Sequence, residues 1–235
     1  MIAFLRTVLT LVLAGLATLA ATPAFVIVAS RNPASPTMDR IAAMWAKVWL
    51  LGLGLRPEVE VDVPIPAGGS YLVVGNHQSN LDPMCHYLAF PSPLRFLAKK
   101  ELYSVPVFGS AIRATGMIEV DRSNPSKESI NAQVAETVDR GRSIIVYPEG
   151  RRTTTGELGP FKKGAFVIAI QTGLPVVPVA TQGTYAIWRP GSKLMHPGPV
   201  HLHFGEPIPT AGMTLDDVES LKERAREWIE NALRA

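Results

Sequence analysis

Residues 7–30 carry no charged side chain, and an uncharged run of that length is enough to cross the hydrocarbon core of a bilayer as one helix. Arg6 precedes it and Arg31 follows it. This end of the chain belongs to a membrane. The rival reading is a secretory signal peptide, but only one arginine precedes the apolar region and Ala20-Ala21-Thr22-Pro23-Ala24 is a poor small-x-small cleavage site. Ser35-Pro36-Thr37 then offers helix-start chemistry, and Ile41, Met44, Trp45, Val48, Trp49 and Leu53 recur behind it at helical spacing. The uncharged part of this second helix is too short to span. Its tryptophans suit the headgroup layer, so the pair forms a shallow hairpin or an anchor plus an interfacial helix; ordinary packing on the soluble part is the alternative. Basic residues flank the first run at both ends, which leaves its orientation open.

The chain therefore divides into membrane-anchoring helices at 1–56 and a domain at 57–235. In the second part short apolar runs alternate with helical patterns, the signature of an α/β domain with a single mixed sheet flanked by helices. Strands are predicted at 70–75, 94–98, 117–120, 143–147, 176–180 and 200–204, and helices at 83–89, 105–113, 126–140, 162–172 and 215–233. Residues 56–69, with Val-Pro-Ile-Pro and paired glycines, read as a connection. The single cysteine, Cys85, excludes an intramolecular disulfide framework and fits a reducing compartment. A net charge of +3 suits anionic lipid surfaces, and no basic run interleaved with aromatics points to nucleic acid.

Chemistry concentrates where the strands give out. In Gly75-Asn76-His77-Gln78-Ser79-Asn80-Leu81-Asp82 a histidine follows an apolar strand, and Asp82 before Pro83 is the expected helix N-cap. If the loop folds His77 back, that carboxylate can accept an imidazole N–H, fix the tautomer and leave the other nitrogen as a base. A turn histidine beside a capping aspartate is the plainer alternative. The second block, Ser143-Ile144-Ile145-Val146-Tyr147-Pro148-Glu149-Gly150-Arg151-Arg152, ends a strand in acid, glycine and planar donors suited to phosphate. Two further strands, Gly116 with Met117-Ile118-Glu119-Val120-Asp121-Arg122 and Leu174-Pro175-Val176-Val177-Pro178-Val179, carry little alone; the prolines of the latter suggest an edge or strand start.

Taken in order, these blocks resemble those of the glycerolipid acyltransferase family that includes 1-acylglycerol-3-phosphate (lysophosphatidate) acyltransferases. His77 with Asp82 looks like its His-x4-Asp motif, residues 116–122 like its second, Pro148-Glu149-Gly150 with Arg152 like its third and residues 174–179 like its fourth. Ala98-Lys99-Lys100-Glu101-Leu102 resembles its basic segment, while Arg151 and Glu119 depart from its pattern. The resemblance implies transfer of a fatty acyl group from acyl-CoA or acyl-carrier protein to the hydroxyl of a lysophospholipid acceptor, giving phosphatidate in phospholipid biosynthesis. His77 would be the general base and Asp82 its support. Lys99, Arg122 and Arg152 would meet the acceptor phosphate, with Glu149 and Gly150 shaping the loop around it. No cofactor or metal is implied, the partners are the bilayer and these substrates, and the domain is expected on the cytoplasmic face. The alternatives are an acceptor lacking phosphate, such as a lyso-aminolipid, and a non-catalytic lipid-binding protein. No Gly-x-Ser-x-Gly supports a serine hydrolase, and His77, Asp82 and His86 make an incomplete metal set.

Overall fold

The computed structural model describes residues 2–121, 123 and 126–235. The apolar run lies within α1 (Ile2–Arg31), whose long window has a mean hydropathy of 2.3 and is mostly exposed. Thr7, Thr10, Thr18 and Thr22 turn their hydroxyls back to carbonyls one turn earlier, which satisfies them inside an apolar surface. Ser35 accepts the Thr37 N–H and Pro36 takes the first helical position of α2 (Pro36–Leu53); Gly54, at φ 67°, ends it in the left-handed conformation. The two helices close tightly at Gly52, where a Cβ would lie 3.1 Å from the Thr10 Cα.

Neither helix is a free appendage. Ala46, Leu50 and Leu53 of α2 share one apolar core with the sheet, and the backbone N–H of Met195 donates to Thr7 Oγ1 at 2.8 Å. The tryptophans also turn inward rather than toward a headgroup layer. Trp45 Nε1 donates to Thr18 Oγ1 at 2.8 Å, and Trp49 stacks on Trp188 with centroids 6.1 Å apart. Helical spacing puts them on or beside the face that carries Ala42, Ala46, Leu50 and Leu53, and that face is the buried one. Such integration also argues against a cleaved signal. Asp39 completes the attachment: its carboxylate binds Arg95 Nη2 at 2.6 Å and Arg142 Nη2 at 3.3 Å, with both arginines buried.

Among the described residues seven strands form one mixed sheet: β1 (Glu58–Val61), β2 (Leu72–Gly75), β3 (Leu94–Lys99), β4 (Ile118–Val120), β5 (Ser143–Val146), β6 (Val176–Gln182) and β7 (His201–Phe204). Their order is β1-β7-β6-β2-β5-β3-β4, with every neighbouring pair parallel except β6 and β7. Strands buried on both faces read as unbroken apolar runs, which is why Leu72-Val73-Val74 and Ile144-Ile145-Val146 show no polar alternation. Val73, Ile145, Val177 and Val179 pack under α2 and α3 (Asp82–Ala89). Leu72, Val74, Ile144, Val146 and Val176 face the other way, beneath α5 (Lys127–Asp139), α6 (Gly164–Thr172) and α8 (Val218–Ala232). The remaining α4 (Phe108–Ala114) packs on α1, and α7 (Thr184–Trp188) follows β6.

Several local expectations are revised. The connection at 56–69 contains β1, a four-residue strand in which glutamates alternate with valines and every residue is exposed, too short a run to stand out beside the prolines and glycines that follow. Pro178 sits inside an interior strand instead of at an edge. Its carbonyl accepts from Gly205 N at 2.9 Å, just past the β6–β7 ladder that begins at Val179 and Phe204, so its nitrogen faces that side too and the β2–β6 ladder loses no bond. The helix expected from 105 starts at Phe108, because Phe108 N bonds Pro106 O across Val107 at φ 66°, a classic γ-turn, and residues 100–104 form a 3-10 turn.

Candidate active site

Strands β2 to β6 run in one direction, so their carboxyl ends gather at a single edge of the sheet. β2 stops at Gly75, where a Cβ would come within 2.8 Å of Val179 Cγ1. Asn76 then continues the pairing with its side chain: Nδ2 donates to Thr181 O at 2.9 Å and Oδ1 accepts Thr181 N at 2.8 Å. The next residue is His77. Its backbone is held at both ends, with N donating to Glu149 Oε1 at 2.7 Å and O accepting from Thr153 N at 2.8 Å.

The loop folds the imidazole onto Asp82, with Nδ1 2.8 Å from Oδ2. Asp82 is fully buried, and the same oxygen accepts the backbone N–H groups of Gln78 at 2.7 Å and Ser79 at 2.8 Å, while Oδ1 accepts Thr184 Oγ1 at 2.6 Å. Asp82 is thus not the helix cap expected from sequence. It is the first residue of α3, Leu81 takes the cap position, and the carboxylate turns back to the amides of the preceding loop instead of those of its own helix. Because a carboxylate accepts, Nδ1 carries the proton and Nε2 keeps its lone pair. With 18% of its side chain exposed, His77 can present that lone pair to a substrate.

Glu149 braces this arrangement. Oε1 holds the His77 amide and Oε2 accepts Gly159 N at 2.9 Å; burial pushes its carboxyl up, against the pull of those two N–H bonds. Gly150 has φ 74°, and the Lys162 side chain lies across it, with Nζ 2.9 Å from where a Cβ would stand. Arg152 is half-buried beyond this turn, Arg151 is exposed, and Lys99 is exposed where β3 ends at the same edge. Lys99 and Arg152 pair with no carboxylate among the described residues. Arg122 lies outside the described residues. His77, Asp82, Glu149 and Gly150 therefore form one connected unit, with the Lys162 side chain across Gly150 and Arg152 two residues beyond it.

Tyr147 and His86 received no role from sequence. Tyr147 stacks on the His77 ring with centroids 4.0 Å apart and planes 10° apart, and its hydroxyl is 2.9 Å from His86 Nδ1. The available signal was the spacing of Asp82 and His86, four apart on one helical face. His86 spends its two ring nitrogens on Tyr147 and Thr181, and among the described residues no cluster of three or more His, Cys, Asp or Glu side chains could hold a metal ion. Cys85 is buried, which pushes its thiol up and makes it inert. The amides of His77, Gln78 and Ser79, candidates for binding an oxyanion, are already spent on Glu149 and Asp82.

Residues 56–182 match the family model described as Acyltransferase. A 1-acyl-sn-glycerol-3-phosphate acyltransferase of Cocos nucifera is 37% identical over 161 residues, covering 68% of this chain and 50% of that protein. The human enzyme named 1-acyl-sn-glycerol-3-phosphate acyltransferase alpha is 33% identical over 175 residues, covering 74% and 62%. The chain thus spans about half to three-fifths of these curated relatives. The crystal structure of the 1-acyl-sn-glycerophosphate acyltransferase PlsC from Thermotoga maritima superposes with a TM-score of 0.82 at 25% identity, covering 99% of this chain and 95% of that one.

Proposed function

This chain belongs to the acyltransferase family, and from that premise we propose that it moves a fatty acyl group from a thioester, acyl-CoA or acyl-carrier protein, to the free hydroxyl of 1-acylglycerol-3-phosphate. The product is phosphatidate, a precursor of phospholipids. The observation that carries the reading is the His77–Asp82 pair, which leaves Nε2 as an unblocked, partly exposed base at the strand ends. Nε2 takes the proton of the acceptor hydroxyl as its oxygen attacks the thioester carbonyl. Asp82 holds the ring and supports the imidazolium that forms; the intermediate collapses, and the departing thiolate takes the proton back. No acyl-enzyme is needed.

Lys99, Arg122 and Arg152 meet the acceptor phosphate, and Gly150, braced through Glu149, lets the Lys162 side chain lie across that side of the loop. Relatives bearing the 1-acyl-sn-glycerol-3-phosphate name support this choice of acceptor. The apolar surface of α1 seats the protein on a bilayer, and the catalytic domain works at its cytoplasmic face. Contacts of α1 with the domain at both Thr7 and Phe25 favour a helix lying along the protein, against one leaflet, over one that leaves it to cross the membrane.

The test is thiol release from a long-chain acyl-CoA by the detergent-solubilised protein, with and without lysophosphatidate, and with the lipid product identified. Wild type should release thiol only with acceptor and form phosphatidate, and His77→Ala should lose about 10²- to 10⁴-fold in rate. Release that ignores the acceptor, or survives His77→Ala, refutes the proposal.

A further inference from the structure

We propose that Tyr147, tethered by His86, is a positioning residue that holds the plane of the His77 imidazole and supports its charged form. The inference rests on His77 being the base. Asp82 fixes the ring at one atom only, and a ring held at Nδ1 can still swing about that bond. The parallel tyrosine face at 4.0 Å removes this freedom. The same face carries the negative end of the aromatic quadrupole, so it attracts an imidazolium more than a neutral imidazole.

Tyr147 is itself held. Its hydroxyl meets His86 Nδ1 at 2.9 Å, and His86 Nε2 meets Thr181 Oγ1 at 2.8 Å. Thr181 is the residue whose backbone clasps the Asn76 amide at 2.8 and 2.9 Å, and Asn76 precedes His77 in the chain. The chain of contacts closes on itself: Asn76, Thr181, His86, Tyr147, His77. A buried tyrosine needs some partner for its hydroxyl, and a carbonyl would serve. Here the partner is a wholly buried histidine with both nitrogens in use.

Two histidines so close would repel if both were charged. Desolvation holds His86 down at about 4, so it stays neutral while His77 cycles. The other titratable groups facing the two rings are Asp82 and Cys85 on α3 and Glu149 after β5, with Lys162 beyond Gly150. Only Asp82 contacts the His77 ring directly among these, so a change in Tyr147 is read on a simple background.

The experiment measures kcat, KM for each substrate and the pH profile of kcat/KM for Tyr147→Phe, Tyr147→Leu, Thr181→Val and Thr181→Ser. Tyr147→Leu should lower kcat at least tenfold with both KM values within about twofold, and move the acid limb down by about half a pH unit. Tyr147→Phe keeps the face, so its acid limb should stay while kcat falls a few-fold. Thr181→Val cuts the tether without touching the tyrosine and should lower kcat a few-fold, and Thr181→Ser should restore it. An unmoved kcat and acid limb in Tyr147→Leu, with only the melting temperature lowered, reduces Tyr147 to packing and overturns the inference. If Tyr147→Leu does not fold, unchanged kcat in both Tyr147→Phe and Thr181→Val overturns it. Activity surviving in His77→Ala, by contrast, defeats the underlying reading of the base.

Discussion

Replacing Asp82 by asparagine separates the two things its carboxylate does. An amide oxygen in the Oδ2 position still accepts from Gln78 N, Ser79 N and His77 Nδ1, and the NH2 then meets Thr184 Oγ1, which can accept. The geometry and the tautomer survive, but the negative charge does not. With charge centres about 4 Å apart and an effective dielectric near 20, imidazolium and carboxylate attract by about 4 kcal/mol. At about 1.4 kcal/mol per decade of rate, the ceiling is about 10³-fold, and partial proton transfer in the transition state sets the expected loss in kcat at about 10²- to 10³-fold. Asp82→Ala should lose at least as much and also stability: it strands two buried amides at about 1–3 kcal/mol each. The assay is acceptor-dependent thiol release alongside thermal melting in the same detergent. A folded Asp82→Asn protein working within a few-fold of wild type refutes the electrostatic role, whereas Asp82→Asn melting as low as Asp82→Ala would show that the carboxylate is only a scaffold.

His86 makes stability depend on pH. Its folded value of about 4 lies below its unfolded 6.5, so the unfolded chain binds more protons between them and stability falls as pH drops through that window. Between pH 7 and 5 this term is about 2 kcal/mol, and His86→Gln should flatten the melting profile over that range by that amount relative to wild type. Asp39→Ala leaves Arg95 and Arg142 as buried, unpaired cations and should cost about 3–5 kcal/mol, read as a lower melting temperature and earlier proteolysis between α2 and β1. Arg152→Gln should raise the KM for lysophosphatidate roughly ten- to a hundredfold and leave the KM for acyl-CoA alone; equal activity on an acceptor without phosphate would reassign the arginine.

The legible parts of this molecule were those written in local rules. Ser35 and Pro36 announce α2, short apolar runs rich in valine and isoleucine announce β2, β5 and β6, and His77 with Asp82 after β2 marks a pair that meets only because the loop folds back. What escaped depends on partners distant in the chain. β1 is exposed and acidic and exists because β7 lies beside it. Trp45 and Trp49 suit a headgroup layer or packing on the soluble part equally, because nothing nearby reveals that Thr18 and Trp188 receive them. Asp82 before Pro83 reads as a cap because composition cannot say which amides a carboxylate turns toward. Tyr147 reads as the end of a strand, and its use becomes visible only when α3 brings His86 against it and β6 brings Thr181 against His86.

The bond from Met195 N to Thr7 Oγ1 joins residues 188 apart, and β1 pairs with β7 across a comparable stretch. A chain made at about 5–20 residues per second leaves α1 waiting roughly 10–40 s for these contacts. Through that interval α2, and then α4, are the parts of the fold made early enough to cover the apolar helix. The Thr7 end of α1 therefore waits for its last contact while the outer edge of the sheet is still unmade. A variant that slows closure, by disrupting β7 for instance, would therefore strand protein on the membrane in a protease-sensitive form before it lost any solubility.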